Sequence, residues 1–263
     1  MDLELKGKWA LVTGSNRGTG EIIARQLADE GARVIVHSLK EGDSVTVAQS
    51  LSGASAVWGD ITGETGADQV VSQVNHCCSR LDILVNNYGI ASSGRWLTSA
   101  TDKWVDAYQH NALSVVRLVQ AFVPAMKAGG VGARIVNLGT VGAVKPGAKM
   151  PHYYAAKGAL ATMTVSLAKE LTGTDITVNT VAPGVIRTAE VEASFRQRAQ
   201  REGWDGEWPD IERRIVAEQF PNPMQRMASR EEVADLVLFL CSARASYING
   251  QNICIDGGMV DRV

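Results

Sequence analysis

Several features are scarce in this sequence of 263 residues, and each absence excludes a class of protein. The formal net charge is only −2 and no basic run occurs, so we expect neither a nucleic-acid partner nor an anionic membrane partner. No apolar stretch approaches the roughly 20 residues that a membrane-spanning helix needs. The amino terminus lacks the basic start and apolar centre of a signal peptide, so a cytoplasmic protein is expected.

Cysteine is also scarce, and its four positions follow no metal-ligand spacing. Cys77 and Cys78 are adjacent, which permits a redox pair, but two packed helix residues explain them better. We therefore expect these two, together with Cys241 and Cys254, to be reduced and structural, and we expect no metal site.

The remaining composition is typical of a globular protein that buries a sizeable core, with 45% apolar and 21% charged residues. Short apolar runs predict strands over residues 9–13, 33–37, 55–58, 81–86, 133–138, 175–181 and 251–256. Helical spacing of apolar residues predicts helices over residues 19–30, 67–79, 98–126, 153–171 and 230–242. This alternation predicts an α/β fold in which helices cover both faces of a parallel sheet. No repeat or linker divides the sequence, so one domain over residues 1–263 is expected.

The segment 189–223 interrupts the alternation of strands and helices. It carries charges of both signs and the aromatic residues Trp204, Trp208 and Phe220. A connection this long in a compact domain is typical of a lid or binding loop, here with helical pieces. Its aromatic side chains can either line an apolar substrate pocket or pack the segment onto its own domain.

A glycine-rich turn, Thr13-Gly14-Ser15-Asn16-Arg17-Gly18-Thr19-Gly20, follows the first predicted strand and opens the first predicted helix. This is the context that a dinucleotide-binding turn requires. Glycine lets the backbone approach a pyrophosphate, and the helix amino terminus offers free N–H groups and the positive end of its dipole. A tight turn without a ligand is the alternative interpretation.

The end of the second predicted strand indicates which nicotinamide cofactor the turn would take. NAD-binding sites commonly place an acidic residue there for the ribose 2′-hydroxyl, but Val36-His37-Ser38-Leu39-Lys40 contains none. Arg17 and Lys40 can reach a 2′-phosphate, and Ser38 can donate a hydrogen bond to it. NADP(H) is therefore the predicted cofactor. NAD(H), with Arg17 and Lys40 as solvated loop charges, is the alternative.

Tyr153 and Lys157 stand four residues apart in a predicted helix, so both side chains project from one face, one turn apart. A phenol has an ordinary pKa of about 10, and a nearby cation favours the phenolate. The pair therefore predicts a group that exchanges a proton near neutral pH. Together with the glycine turn, it predicts proton transfer coupled to hydride transfer.

These features together resemble the short-chain dehydrogenase/reductase family over residues 8–258. Besides the glycine turn and the Tyr153/Lys157 pair, the matching motifs are Asp60, Asn86-Asn87-Tyr88-Gly89, Asn111, Pro183-Gly184 with Thr188, and Asp256-Gly257-Gly258. The resemblance implies a doubly wound, Rossmann-type sheet of about seven strands. It also implies a homotetramer, or a dimer, assembled through the helices predicted at 98–126 and 153–171.

The resemblance implies roles for the residues of the catalytic group. Tyr153 would be the general acid/base, and Lys157 would bind the nicotinamide ribose and lower the tyrosine pKa. Asn111 would help to hold a water molecule in the proton relay. The family usually has a serine thirteen residues before the tyrosine, where this sequence has Thr140. Its hydroxyl can still bond the substrate oxygen, although the extra methyl stiffens the side chain; inward packing and an impaired site are the alternative.

The resemblance also implies which residues bind the cofactor. Asp60 would contact the adenine, Asn86 would lie against the adenosine ribose, and Thr188 would lie near the nicotinamide carboxamide. The expected cofactor-binding set is Gly14, Asn16, Arg17, Gly18, Thr19, Gly20, Ser38, Lys40, Asp60, Ile61, Asn87, Tyr153, Lys157, Pro183, Gly184, Ile186 and Thr188. Tyr88 stands where alanine is typical, so a large side chain must be accommodated beside the cofactor.

The predicted function is an NADP(H)-dependent oxidoreductase that interconverts a carbonyl and a secondary alcohol. A non-catalytic cofactor-binding regulator is the alternative from another class, but such proteins typically lose the tyrosine or the lysine. An apolar or aromatic ketone or a cyclic alcohol is the expected small-molecule substrate, and a 3-oxoacyl thioester stays open. Lys145, Lys149 and His152 can attract an anionic substrate, or they are solvated charges.

Overall fold

Seven strands run parallel in one sheet within the part of the chain that the computed structural model describes, residues 2–130 and 132–261. In chain order they are β1 (Trp9–Val12), β2 (Arg33–Ser38), β3 (Ser55–Trp58), β4 (Ile83–Asn86), β5 (Arg134–Leu138), β6 (Thr177–Pro183) and β7 (Asn252–Ile255). Their order across the sheet is β3-β2-β1-β4-β5-β6-β7, so the direction of winding reverses between β1 and β4. The predicted doubly wound sheet is confirmed, and all seven predicted strands are present.

The helices that connect these strands are α1 (Gly18–Asp29), α2 (Val45–Gln49), α3 (Glu64–Cys77), α4 (Thr101–Tyr108), α5 (Ser114–Ala128), α6 (Pro151–Glu170), α7 (Ala189–Arg201), α8 (Trp208–Gln219) and α9 (Arg230–Cys241). The prediction missed α2, because a helix of five residues shows too little periodicity. Across the described ranges, none of the helices combines the length and the apolar character needed to cross a membrane.

Alternate residues of each central strand face opposite helix layers. In β1, Val12 packs in a core with residues of α1 and α9, whereas Leu11 packs in a second core with residues of α3 and α5. In β2, Val36 packs in the first of these cores and Ile35 packs in the second. Both faces of the sheet are therefore buried, which explains why its strands read as continuous apolar runs.

The helix predicted over residues 98–126 starts three residues later than predicted and is not one regular α-helix. It begins at Thr101 and contains a π-helical segment, Gln109–Leu113, between α4 and α5. Asn111 lies in this segment, and its Nδ2 donates to the carbonyl of Ala107 at 3.0 Å. A π-helical turn adds one residue to the helical repeat and commonly marks a functional position. The apolar pattern cannot reveal it, because the pattern continues on both sides.

The segment 189–223 contains two helices, α7 and α8, as its predicted helical pieces suggested. The guanidinium groups of Arg198 and Arg214 lie over the ring of Trp204, with 4.9 Å and 4.1 Å to its centroid. Both arginines also pair with Glu218. Trp208 is buried in the same small core. Of the two predicted roles for the aromatic residues, packing of the segment onto its own domain therefore describes both tryptophans, because their small core also includes Met227 and Val185.

Burial accounts for the state of two of the cysteines. Cys78 and Cys241 lie in the two main cores, and burial raises their pKa values to about 11 and about 12. Thiols with raised pKa values are protonated at neutral pH and react slowly. These two residues are packing groups, as predicted.

A reciprocal pair of hydrogen bonds begins α9. The hydroxyl of Ser229 accepts from the backbone N–H of Glu232 at 3.1 Å, and the Glu232 carboxylate accepts from the N–H of Ser229 at 2.8 Å. Arg226 donates to the same carboxylate, and its guanidinium, with the Ser229 N–H, lowers the pKa of Glu232 to about 2. The helix start is thus held by a capping box.

We expect Ser229→Ala to lower the free energy of unfolding by about 1 kcal/mol, because one N–H at the helix start loses its acceptor. Ser229→Thr keeps the hydroxyl and should retain most of the stability. Urea denaturation of both variants measures the difference. Equal losses in the two variants would show that the capping hydroxyl is not the cause.

Candidate active site

The predicted site residues gather at one edge of the sheet, where the parallel strands end. In an open parallel sheet, a ligand crevice forms at this edge, at the point where the strand order reverses. Here that point lies between β1 and β4. The segments that follow these strands and their neighbours carry Asn16 and Thr19 after β1, Lys40 after β2, Asp60 after β3, Asn87 after β4, Thr140 after β5 and Thr188 after β6.

The glycine turn after β1 has the backbone form of a phosphate-binding loop. Gly14 and Gly18 have φ values of +60° and +64°, which glycine adopts without strain. A Cβ atom at Gly20 would collide with the Asn87 amide and the Gly14 carbonyl, so only glycine lets α1 lie this close to the end of β4. Among the residues described, no side chain caps α1 at Arg17, which leaves its first N–H groups for an anion. The turn therefore fits a dinucleotide pyrophosphate.

The end of β2 contains no acidic residue but offers fewer donors than predicted. Ser38 is 1% exposed, and its hydroxyl donates to the carbonyl of Lys40 at 2.8 Å. That hydrogen is therefore not free for a 2′-phosphate, contrary to the prediction for Ser38. The side chains of Lys40 and Arg17 are exposed and remain available as cations.

The end of β3 presents one carboxylate. Asp60 is exposed, and its Oδ1 accepts from the N–H of Thr62 at 3.0 Å and from its hydroxyl at 2.7 Å. The neighbouring Ile61 is 1% exposed and packs in the core, so only its backbone can line the crevice. The Asp60 carboxylate is thus held in one orientation at the crevice edge.

The two asparagines after β4 have different environments. Asn86 is buried, and its Nδ2 donates to Oδ1 of Asn137 on β5 at 2.8 Å. It therefore braces the sheet rather than facing an adenosine ribose, which corrects its implied role. The Nδ2 of Asn87 donates to the carbonyls of Thr13 and Gly14 at 2.9 and 3.1 Å. Asn87 is the amide that contacts the glycine turn.

Tyr88 is accommodated in the core beneath the crevice. It is 8% exposed and packs in the second main core, beside the ring of His110 at 6.2 Å between centroids. Its N–H donates to the Thr13 hydroxyl at 2.9 Å. Burial raises the pKa of its phenol, which stays neutral. The large side chain thus fills space below the glycine turn, close to Gly14.

The same loop leads from the glycine turn to the catalytic group. Asn111 holds the backbone of Ile90 by accepting from its N–H at 3.1 Å and donating to its carbonyl at 3.0 Å. A Cβ atom at Gly89 would collide with Oδ1 of Asn111 and crowd Nζ of Lys157. Glycine at this position therefore lets the predicted relay residue and the predicted lysine lie side by side.

Tyr153 and Thr140 meet at the start of α6. The Thr140 side chain lies close enough to the Tyr153 phenol to influence its pKa, and the Thr140 hydroxyl oxygen accepts from the N–H of Gly142 at 3.1 Å. Thr140 is half-buried, so it is not packed away. Burial raises the pKa of Tyr153 to about 12, and the Thr140 side chain opposes that rise. The phenol is therefore protonated at neutral pH.

Lys157 is buried, and its Nζ donates to the carbonyl of Leu138 at 2.6 Å. Burial lowers the pKa of this ammonium to about 8. Desolvation of the phenol outweighs the influence that lowers its pKa, so the net lowering expected from Lys157 is not seen. The helical spacing correctly places Tyr153 and Lys157 on one face of α6, but it does not predict that the Lys157 ammonium bonds to the Leu138 carbonyl.

The segment after β6 borders the crevice on its far side. Pro183 ends the strand, Gly184 donates its N–H to the Ile255 carbonyl at 3.0 Å, and Ile186 forms a parallel bridge with Ala228. Thr188 begins α7, and its hydroxyl accepts from the N–H of Val191 at 3.2 Å. The predicted nicotinamide-side residues therefore form the connection between the sheet and the segment 189–223.

His152 has a positional role that the sequence did not indicate. It is fully buried, and its Nε2 lies 2.9 Å from the hydroxyl of Ser92, in the loop after β4. The N–H of Met150 also donates to the carbonyl of Gly94 at 3.1 Å. This loop is thus fastened to the start of α6 beside Tyr153. The prediction of a solvated His152 is wrong, whereas Lys145 and Lys149 are exposed.

Comparisons with known proteins agree with this geometry. A family model described as enoyl-(acyl carrier protein) reductase matches residues 14–260. The uncharacterized oxidoreductase YvaG of Bacillus subtilis is 35% identical over 266 residues, which cover 100% of both chains. The 3-oxoacyl-(acyl-carrier-protein) reductase FabG of Vibrio harveyi is 32% identical over 98% of this chain and 99% of its own.

A solved structure gives the same result in three dimensions. The L-sorbose reductase of Gluconobacter frateurii, in complex with NADPH and L-sorbose, superposes with a TM-score of 0.93, 33% identity and 100% coverage of both chains. The matches extend over nearly the whole of each protein, and they confirm the resemblance drawn from the motifs. This chain belongs to the short-chain dehydrogenase/reductase family of oxidoreductases.

Proposed function

We propose that this protein is an NADP(H)-dependent oxidoreductase that interconverts a carbonyl and a secondary alcohol on a small molecule. The observation that carries the proposal is the placement of the Tyr153 phenol beside Thr140, on the edge that also holds the glycine turn. Two adjacent hydroxyl groups can bond one substrate oxygen from two directions, which suits an oxygen that gains charge during reaction. We also propose that residues 1–263 act as one catalytic domain, with residues 189–223 as its lid.

The proposed cofactor is NADP(H) rather than NAD(H). The end of β2 has no carboxylate for a ribose 2′-hydroxyl, whereas the exposed cations Arg17 and Lys40 lie in the turn and directly after the strand. The L-sorbose reductase that superposes on this chain holds NADPH, which supports the same choice. Ser38 contributes through its small size rather than through its hydroxyl, which is already bonded.

When bound, the nicotinamide would supply or accept a hydride. Tyr153, protonated at neutral pH, would donate its proton to the developing alkoxide, and in the reverse direction it would receive that proton. Thr140 would hydrogen-bond to the same oxygen and stabilise its charge. Lys157 would bind the nicotinamide ribose with an ammonium whose pKa of about 8 keeps it largely charged at pH 7. Asn111, packed beside Lys157, would fix the loop that borders both.

We propose a hydroxylated ketone as the substrate class in place of an aromatic ketone. Trp204 and Trp208 pack inside the lid and are not free to form an aromatic pocket. The loop fastened to the start of α6 carries the half-buried Ser92, whose hydroxyl lies 2.9 Å from Nε2 of His152. The superposing reductase that holds L-sorbose supports this choice.

We further propose assembly into a homotetramer, or a dimer, through α5 and α6. The groove between these helices is lined by apolar side chains, including Val116 and Val119 of α5 and Met163 and Leu167 of α6. Val165 of α6 is 40% exposed in the single chain. Pairing of such helices with a second copy would cover these side chains.

Replacement of Tyr153 by phenylalanine should lower kcat at least about a hundredfold, because the proton donor is lost. The affinity for NADPH, measured by nicotinamide fluorescence, should stay unchanged. Tyr154→Phe is the matched control on the same helix and should retain turnover. Comparable turnover in Tyr153→Phe and wild type would refute the assigned mechanism.

Introduction of a carboxylate at the end of β2 should reverse the cofactor preference. Ser38→Asp should weaken NADPH binding, because the negative charge of the carboxylate repels a 2′-phosphate. It should strengthen NADH binding, because the carboxylate oxygens accept a hydrogen bond from a 2′-hydroxyl. Ser38→Asn, of similar size but neutral, is the control. If Ser38→Asp changes the ratio of the two affinities no more than Ser38→Asn does, the NAD-dependent alternative is favoured.

A substrate screen should give faster NADPH oxidation with ketoses such as L-sorbose than with aromatic ketones or a 3-oxoacyl thioester. The expected order follows from the L-sorbose held by the superposing reductase and from the packed tryptophans of the lid. The measurement is kcat/KM for each compound at saturating NADPH. A higher kcat/KM for the aromatic ketones would contradict the proposed substrate class and leave the oxidoreductase assignment in place.

A further inference from the structure

His37 occupies the end of β2 and is completely buried, with 0% of its surface exposed. Both of its ring nitrogens reach backbone groups of other segments. The N–H of Gly14 donates to Nδ1 at 3.0 Å, and Nε2 lies 3.0 Å from the carbonyl of Gly59. An imidazole bonded at both nitrogens to main-chain atoms holds those two segments at a defined separation.

The partners determine the protonation state of the ring. An amide N–H can only donate and a carbonyl can only accept, so Nδ1 must be the acceptor and Nε2 must carry the hydrogen. Burial lowers the pKa of His37 to about 4, against smaller opposing contributions from the Gly59 carbonyl and the nearby Asp60 carboxylate. The ring is therefore neutral throughout the physiological range, and both bonds persist there.

The main chain of the same residue adds two more bonds to the glycine turn. The N–H of Ser15 donates to the carbonyl of His37 at 2.9 Å, and the N–H of His37 donates to the Ser15 hydroxyl at 3.0 Å. Ser15 in turn donates to the carbonyl of Val12 at 2.6 Å. The turn after β1 is thus fixed to the end of β2 by both the backbone and the side chain.

We infer that His37 is a positioning residue for the cofactor, which joins the glycine turn to the end of β3. The inference rests on the proposed function, since it concerns the same dinucleotide crevice. Gly14 opens the turn proposed for the pyrophosphate, and Gly59 directly precedes Asp60, the residue proposed for the adenine. His37 lies between them and next to Ser38, so one side chain sets the spacing of three segments that must contact one extended ligand.

The bond to Gly14 has the greater consequence for binding. If His37 loses its acceptor, the part-buried Gly14 N–H is left without this partner, and the turn must shift to give it another. Such a shift moves the free N–H groups at the start of α1 away from the phosphate position. The Gly59 bond is expected to matter less, because the loop after β3 is also held by Asp60 and Thr62.

Three variants separate the two bonds. His37→Asn places an acceptor oxygen where Nδ1 lies and loses the contact to Gly59. His37→Gln places its amide nitrogen where Nε2 lies and loses the acceptor for Gly14. His37→Leu loses both. As a control for general loosening, Ile176→Ala removes a buried side chain (3% exposed) next to the amino end of β6, away from the crevice.

The measurements are the Kd for NADPH by nicotinamide fluorescence, kcat at saturating NADPH, and the urea midpoint of each variant. We expect His37→Gln and His37→Leu to raise the Kd about tenfold, because the Gly14 N–H loses its acceptor. His37→Asn should raise the Kd no more than about threefold, because it loses only the bond to Gly59. The kcat at saturating NADPH should stay at the wild-type value in every variant that folds. Ile176→Ala should lower the urea midpoint without a change in Kd.

Equal Kd values for His37→Asn and His37→Gln would overturn the inference, and so would a loss of kcat with Kd unchanged. A rise in Kd for Ile176→Ala as large as that for His37→Gln would also overturn it, because general loosening would then explain both. If His37→Leu does not fold, the Kd values of His37→Asn and His37→Gln still test the inference. Failure of the wild-type protein to bind NADPH contradicts the proposed function itself, whereas normal wild-type binding with unchanged variants contradicts only the role of His37.

Discussion

The hydrogen bonds between the end of β4 and the glycine turn set the relation between the two halves of the site. Asn87 donates to the carbonyls of Thr13 and Gly14, and the next N–H along the chain donates to the Thr13 hydroxyl. Two residues further, the loop reaches Asn111 and Lys157. The strand order reverses between β1 and β4, so the topology of the sheet brings the glycine turn and the proposed proton donor to one crevice.

Desolvation dominates the electrostatics of Tyr153 and Lys157, the proposed catalytic pair. Burial raises the pKa of Tyr153 and lowers that of Lys157, so each group is shifted toward its neutral form. The phenol therefore retains its proton at neutral pH, which suits donation to a reduced carbonyl oxygen. The Leu138 carbonyl holds the ammonium, so the Lys157 side chain is oriented before a substrate binds.

The sequence predicted the strands well because both faces of the sheet are buried and apolar runs mark every strand. All five predicted helices begin and end within three residues of the observed bounds, although the one predicted over residues 98–126 contains a π-helical segment. The glycine turn and the pair Tyr153 and Lys157 were also predicted, since turn geometry and helical spacing are local properties. The π-helical segment was not predicted, because the apolar pattern continues on both sides of it. The buried Asn86 and the partners of His37 were not predicted either, because their contacts join residues that are distant in sequence. The bond of His37 to Gly59, for example, joins residues 22 positions apart.

The central claim is that the glycine turn and the Tyr153 group form one cofactor site. Determination of a crystal structure of this protein with NADPH would test that claim most directly. We expect the pyrophosphate at the start of α1, the 2′-phosphate near Arg17 and Lys40, and the nicotinamide beside Tyr153 with its ribose on Lys157. A cofactor bound elsewhere, or one whose nicotinamide lies out of reach of Tyr153, would contradict the claim.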